Sequence, residues 1–337
     1  MTSRIVGLLL LLSTVLLPAH VRADDVVRLK FAFFAPDSEM TWVTTLKPFV
    51  DSVNRDGVGV VQIDSFPNGA LGRNLPNQPQ LVLDGVADMA FMIPGASPGR
   101  FPDNGVIELP GIFRDLQEAT TVYTQLLLSN SLRGYEQYVP IVGMGTDPFS
   151  IHTRAAISNL ESLKGLKVRT TNSTDGETLR TLGMVPVAMP VNEAAEAIGR
   201  GTVEGTSMHP GPMFDFGINR VTRYDYFIRL GISPLVVLMN KAKFDALPPA
   251  AQEIIRRNSG QTLVRIYNKG YGAYDQDLMA KLKGDNSRHV IFPSDAEQER
   301  AEALWQPVIE NWLAKDPRNP ALLQKVRDLI AQYRAEH

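Results

Sequence analysis

Arg169 closes the strand-like run Leu166-Lys167-Val168-Arg169 and directly precedes Thr170-Thr171-Asn172-Ser173-Thr174. That second stretch suits a helix start, with Thr174 as cap and Glu177 three residues on to reciprocate. A helix start offers unpaired N–H groups and a partial positive charge, so it attracts anions. An adjacent guanidinium adds a planar fork that matches a carboxylate through two hydrogen bonds. The chemistry on offer is anion capture; a surface ion pair is the competing assignment for an arginine at a strand end.

Bond-making chemistry finds no constellation in the chain. Gly95-Ala96-Ser97-Pro98-Gly99 matches the Gly-x-Ser-x-Gly nucleophile elbow in letters only. The elbow needs the N–H that follows the serine for its oxyanion hole, and Pro98 has none. His152, His209 and His289 lack metal-ligand spacing, and there is no cysteine. Gly143-Met144-Gly145 runs into Thr146-Asp147-Pro148, which is no dinucleotide fingerprint. No catalytic residue, metal or cofactor is expected. A carboxylate pair distant in sequence stays open, and with it a secreted hydrolase.

The elements that must position Arg169 show an internal echo. Gly85–Gly95 and Gly201–Gly211 share the frame Gly-x-x-acid-x-x-x-Met-x-Pro-Gly. Each copy follows a plausible helix (Leu81–Leu83; Glu193–Ile198), which its first glycine can stop in the left-handed conformation. A short strand and a Pro-Gly turn follow. Two lobes built alike would each direct such a strand end to a common cleft. Alternation over Val27–Phe33, a helix over Met40–Val53 and a Val/Ile-rich strand over Gly57–Phe66 give an α/β order with parallel pairing. Leu235–Asn240 is the continuous apolar run of a buried strand. From Leu247 onward the tail reads as helical, with one long stretch to Lys283, a capping box at Ser294–Glu297 and a last helix opened by Asn319-Pro320.

Bulk properties agree with a secreted binder. Residues 1–23 read as a signal peptide, with an apolar run over Ile5–Leu17 and cleavage after Ala23. Losing Arg4 and Arg22 moves the formal net charge from −2 to −4. A mildly acidic chain without a Lys/Arg block argues against nucleic acid as partner. A bacterial periplasm is the expected address, and the length favours two lobes.

An ordered set of motifs then resembles the periplasmic solute-binding subunits of TRAP (tripartite ATP-independent periplasmic) transporters, the DctP family. It comprises Phe66–Gly72, Gly85–Met89, Pro98–Pro102 with Glu108-Leu109-Pro110, Leu163–Arg169, Leu182–Pro190, Gly201–Gly205 and Asn240–Pro248. The resemblance implies a two-lobed α/β periplasmic-binding-protein fold of class II type, with hinge strands and a long helix crossing both lobes. It places lobe 1 at residues 24–148 with about 234–275, and lobe 2 at 149–233 with about 276–300. Residues 301–337 become C-terminal helices packed across the lobes. It also implies that Arg169 pairs with a substrate carboxylate, that Asn172 is a polar neighbour of it, and that membrane permease subunits are the partners. Val191 and Met208 stand where sialic-acid-binding members carry an aromatic residue and an asparagine. The expected substrate contacts are therefore Arg169, Asn172, Met208, His209, Phe34, Phe91, Met92 and Val191. One anchored charge in an apolar cavity points to a hydrophobic or aromatic monocarboxylate. Oxo, hydroxy or sugar acids are the alternatives.

Overall fold

The computed structural model describes residues 26–337; the expected signal peptide and its cleavage point lie outside the described residues. Two mixed sheets carry the architecture. The first contains β1 (Val27–Ala32), β2 (Val61–Phe66), β3 (Met89–Met92), β4 (Tyr138–Gly145) and β10 (Pro234–Asn240), in the order β2-β1-β3-β10-β4. The second contains β5 (Ser150–Thr153), β6 (Lys167–Thr170), β7 (Val185–Ala188), β8 (Gly205–Met208), β9 (Tyr224–Tyr226) and β11 (His289–Ile291), ordered β11-β9-β5-β8-β6-β7. In each sheet three strands linked by helices run parallel: β2-β1-β3 and β7-β6-β8. β10 and β5 lie antiparallel beside the last member of each trio, which the helical connections alone did not foretell.

The echo in the sequence is an echo in structure. Gly85 and Gly201 have φ of +72° and +74°, the left-handed caps that end the helices Gln78–Leu83 and Val191–Gly199. Asp88 then brackets Lys30 at β1: its N–H donates to the Lys30 carbonyl at 2.9 Å and its carboxylate accepts from the Lys30 N–H at 2.7 Å. Glu204 brackets Lys167 at β6 in the same way, at 2.8 and 2.7 Å. The acid of the shared frame thus fixes where its strand joins the parallel neighbour.

The chain crosses between the sheets at 146–149 and 227–233, and the crossings are stitched together. The Phe149 N–H donates to the Gly231 carbonyl at 2.8 Å, and the Ser233 N–H donates to Thr146 Oγ1 at 3.0 Å. β10 is buried from Val236 to Met239, as a strand covered on both faces must be. The helix Gln261–Gly284 packs Tyr267 into the first lobe's core and reaches the second lobe, where Tyr274 Oη donates to the Gly211 carbonyl. In the helix Asp295–Lys315, Trp305 packs with the second lobe's core and Trp312 with the first.

Three local expectations are corrected. Asn172, not Thr174, caps the helix Ser173–Thr181: its side chain accepts from the Asp175 N–H at 2.7 Å. The helical stretch expected to run to Lys283 breaks between Pro249–Arg257 and Gln261–Gly284, where Gly260 has φ of +56°. Ser294 caps its helix, but the Glu297 carboxylate accepts from the Leu160 N–H at 2.6 Å instead of completing the box.

Candidate functional site

β6 ends in the interior, and this fact sets up the site. Arg169, its third residue, is fully buried, paired in register with Thr206 of β8. Its Nε donates to the Met189 carbonyl at 2.9 Å, while Nη1 and Nη2 have no partner. Burial pulls its pKa down to about 10, opposed by the charge of Asp175, so the guanidinium stays cationic near neutral pH. Asp175 is held by hydroxyls of Thr170 and Ser207, and burial pushes its pKa up to about 6. Unpaired buried polar atoms on this scale are rare in folded proteins and call for an explanation.

Arg169 lines a cavity between the lobes. Phe34, Phe91, Ile93 and Leu235 come from the first lobe; Phe149, Val191, Met208 and Phe216 come from the second and from the crossing. Two of the walls are flat. Phe34 and Phe91 stack with centroids 5.6 Å apart at 22°, and Phe149 stacks on His209 at 6.3 Å and 14°. The polar lining is sparse. Glu39 accepts from Thr41 Oγ1 and the Trp42 N–H, and burial raises its pKa. His209 Nε2 lies 3.2 Å from Tyr271 Oη, and burial lowers its pKa to about 3, leaving a neutral imidazole. Among the described lining residues Arg169 is the one cation.

Six of the eight expected contacts, Phe34, Phe91, Arg169, Val191, Met208 and His209, line this cavity. Met92 does not. Successive side chains on a strand face opposite sides, so with Phe91 toward the cavity Met92 turns into the core beside Val236 and Ala90. Asn172 does not line it either, because its side chain is spent on the helix cap. Phe149, Tyr271, Phe216 and Glu39 line the cavity too and were not among the expected contacts. Tyr271 sits in a helix whose apolar stripe looks like core. Phe149 carried only the signal of a lobe boundary.

Known proteins resemble this arrangement. The sequence profile of DctP, "bacterial extracellular solute-binding protein, family 7", matches residues 31–316. An uncharacterized protein of Haemophilus influenzae is 30% identical over 265 residues, covering 76% of this chain and 79% of its own length. A TRAP solute-binding protein of Rhodoferax ferrireducens, solved with copurified benzoate, superposes with a TM-score of 0.82 at 27% identity over 92% of this chain and 99% of that one. A marine-metagenome TRAP solute-binding protein specific for aromatic acid ligands, solved with 3-hydroxybenzoate, shares the fold with a TM-score of 0.86 at 23% identity, covering 92% and 99%. With two lobes, a cavity between them and a profile match across nearly all of its described residues, the chain belongs to the DctP family of TRAP-transporter solute-binding proteins.

Proposed function

We propose that this protein captures a small, ring-bearing monocarboxylate in the periplasm and delivers it to the integral membrane subunits of a TRAP transporter, with Arg169 pairing the carboxylate. The single observation behind it is the buried guanidinium whose two terminal nitrogens lack any partner in a cavity walled by phenylalanines. A buried charge is costly unless paired and hydrogen-bonded, and a carboxylate supplies both through a two-point contact. One cation suits one carboxylate. The flat walls suit a planar ring better than a polyhydroxylated sugar acid, which would leave hydroxyls facing phenyl faces. The benzoate and 3-hydroxybenzoate held by the two solved relatives support the same class.

The hydrolase alternative would need a carboxylate pair, and Glu108 and Asp175 are buried near each other. Neither lines the cavity that holds Arg169. For a binder, mass spectrometry should recover every ligand unchanged after incubation with the protein.

A melting screen of the chain without residues 1–23 tests the proposal directly. An aromatic acid at 100 times its Kd should add about 2.7 kcal/mol of stability. Arg169→Ala should abolish that shift, and Arg169→Lys should restore little of it, since a lysine lacks the planar fork. Undiminished shifts in Arg169→Ala would refute the anchoring role; larger shifts with sugar acids would refute the apolar class.

A further inference from the structure

Polar groups in the cavity wall mostly have their partners. Glu39 is engaged locally, and the Arg169 fork is accounted for by the proposed carboxylate. Among the fully buried side-chain atoms of the described wall residues, His209 carries the other one without a partner. Its Nδ1 is buried with no partner, while Nε2 meets Tyr271 Oη. The Cδ2 edge of the ring lies toward Gly211, where any side chain would strike Tyr271. Nδ1 is on the opposite edge, away from that backbone, and the ring face rests on Phe149, another wall residue.

A neutral imidazole has one N–H donor and one bare acceptor nitrogen, and its tautomer follows its partners. If Tyr271 donates to Nε2, then Nδ1 carries the proton and needs an acceptor. If Tyr271 accepts, Nδ1 is bare and needs a donor. A hydroxyl satisfies either case, because it both donates and accepts. A keto oxygen serves only the first, and an amine only the second. A second carboxylate would meet no charge here, since the ring is neutral.

We propose that His209 determines specificity by reading a hydroxyl group on the bound acid, so that the substrate class is a hydroxylated, ring-bearing monocarboxylate. The proposal rests on the carboxylate anchoring at Arg169. A site built to hydrogen-bond a hydroxyl discriminates strongly against the analogue lacking it, because its own buried group is then left unpaired.

Calorimetric titration of the chain without residues 1–23 with benzoate and with 2-, 3- and 4-hydroxybenzoate provides the test. At least one hydroxylated isomer should bind on the order of tenfold or more tightly than benzoate. His209→Phe should bring that isomer to the level that benzoate has in the same variant, with a cooperative thermal melt reporting that the variant is folded. Should the variant lose all binding, nitrogen-15 spectra of the unsubstituted protein decide: Nδ1 of His209 must shift with the hydroxylated acid and not with benzoate. Equal affinity for benzoate and every isomer, or a preference that survives in His209→Phe, overturns the role of His209 and leaves the Arg169 anchor standing. If none of the four acids binds, the ring-bearing class falls, and this proposal with it.

Discussion

Glu108 shows how much a single buried carboxyl can control. Burial, reinforced by the charge of Asp175, pushes its pKa up to about 8 from an ordinary 4.5, and its Oε1 has no partner. The folded protein therefore holds a proton on Glu108 that the unfolded chain releases above its own pKa. Stability from this group is complete below about pH 4.5 and declines as pH rises toward about 8, by on the order of 3 kcal/mol near neutrality. Denaturant titrations of Glu108→Gln should show a flatter fall between pH 5 and 8 than the unsubstituted protein; an unchanged slope would deny the proton. Asp175 and Asp215, raised to about 6 and about 7, act in the same direction, so the glutamine removes only part of the slope. At this scale the sequence was half legible. Arg169 stood out because it sits between a strand signal and a helix-start signal. Tyr271 and Phe149 did not, because a phenyl ring in a cavity wall and one in a core leave the same mark on periodicity. His209 was an expected contact, whereas its unpaired nitrogen is a fact of tertiary structure alone.

Among the elements, the corresponding strands β3 and β8, one in each sheet, with their glycine caps are the most legible part of the fold. A left-handed residue needs glycine, and an acid three residues later is placed to clasp the neighbouring strand. Gly85→Ala and Gly201→Ala should each cost about 1–2 kcal/mol in denaturant melts, because L side chains resist that conformation. Gly85 has open space where a methyl group would go, so its cost is backbone strain alone; at Gly201 the methyl would also crowd Arg154. A neutral result at Gly85 would mean that the cap relaxes. Facing within these strands was harder to read. The shared frame aligns Met92 with Met208, yet only Met208 reaches the cavity, while in the first copy the preceding Phe91 does. A repeat conserves chain path more faithfully than it conserves which side chain meets the cleft. Antiparallel β5 and β10 were also hidden, since their partners are set by the crossings between lobes.

For the molecule as a whole, the lobes meet at a second place besides the cavity. A Cβ on Gly95 of the first lobe would press on Glu108 of the same lobe and lie 3.2 Å from Asn172 Cβ of the second. Gly95→Val should hold the lobes apart and weaken ligand affinity roughly tenfold or more without touching the cavity wall. Calorimetry reads the affinity, and small-angle scattering should report a larger radius with ligand than the unsubstituted protein gives; unchanged values for both would sink the idea. The two crossings carry a different consequence. β10 lies between β3 and β4, although the chain builds the whole of β5 to β9 before reaching it. A chain emerging amino end first thus holds its first sheet in two pieces, with an open slot, until residues 234–240 arrive. Until then the edges of β3 and β4 present bare hydrogen-bonding groups, the kind of surface that invites mispairing with other chains. The second sheet, by contrast, already runs unbroken from β9 to β7 and lacks only its edge strand β11, so the first lobe of the clamp is the one that closes late.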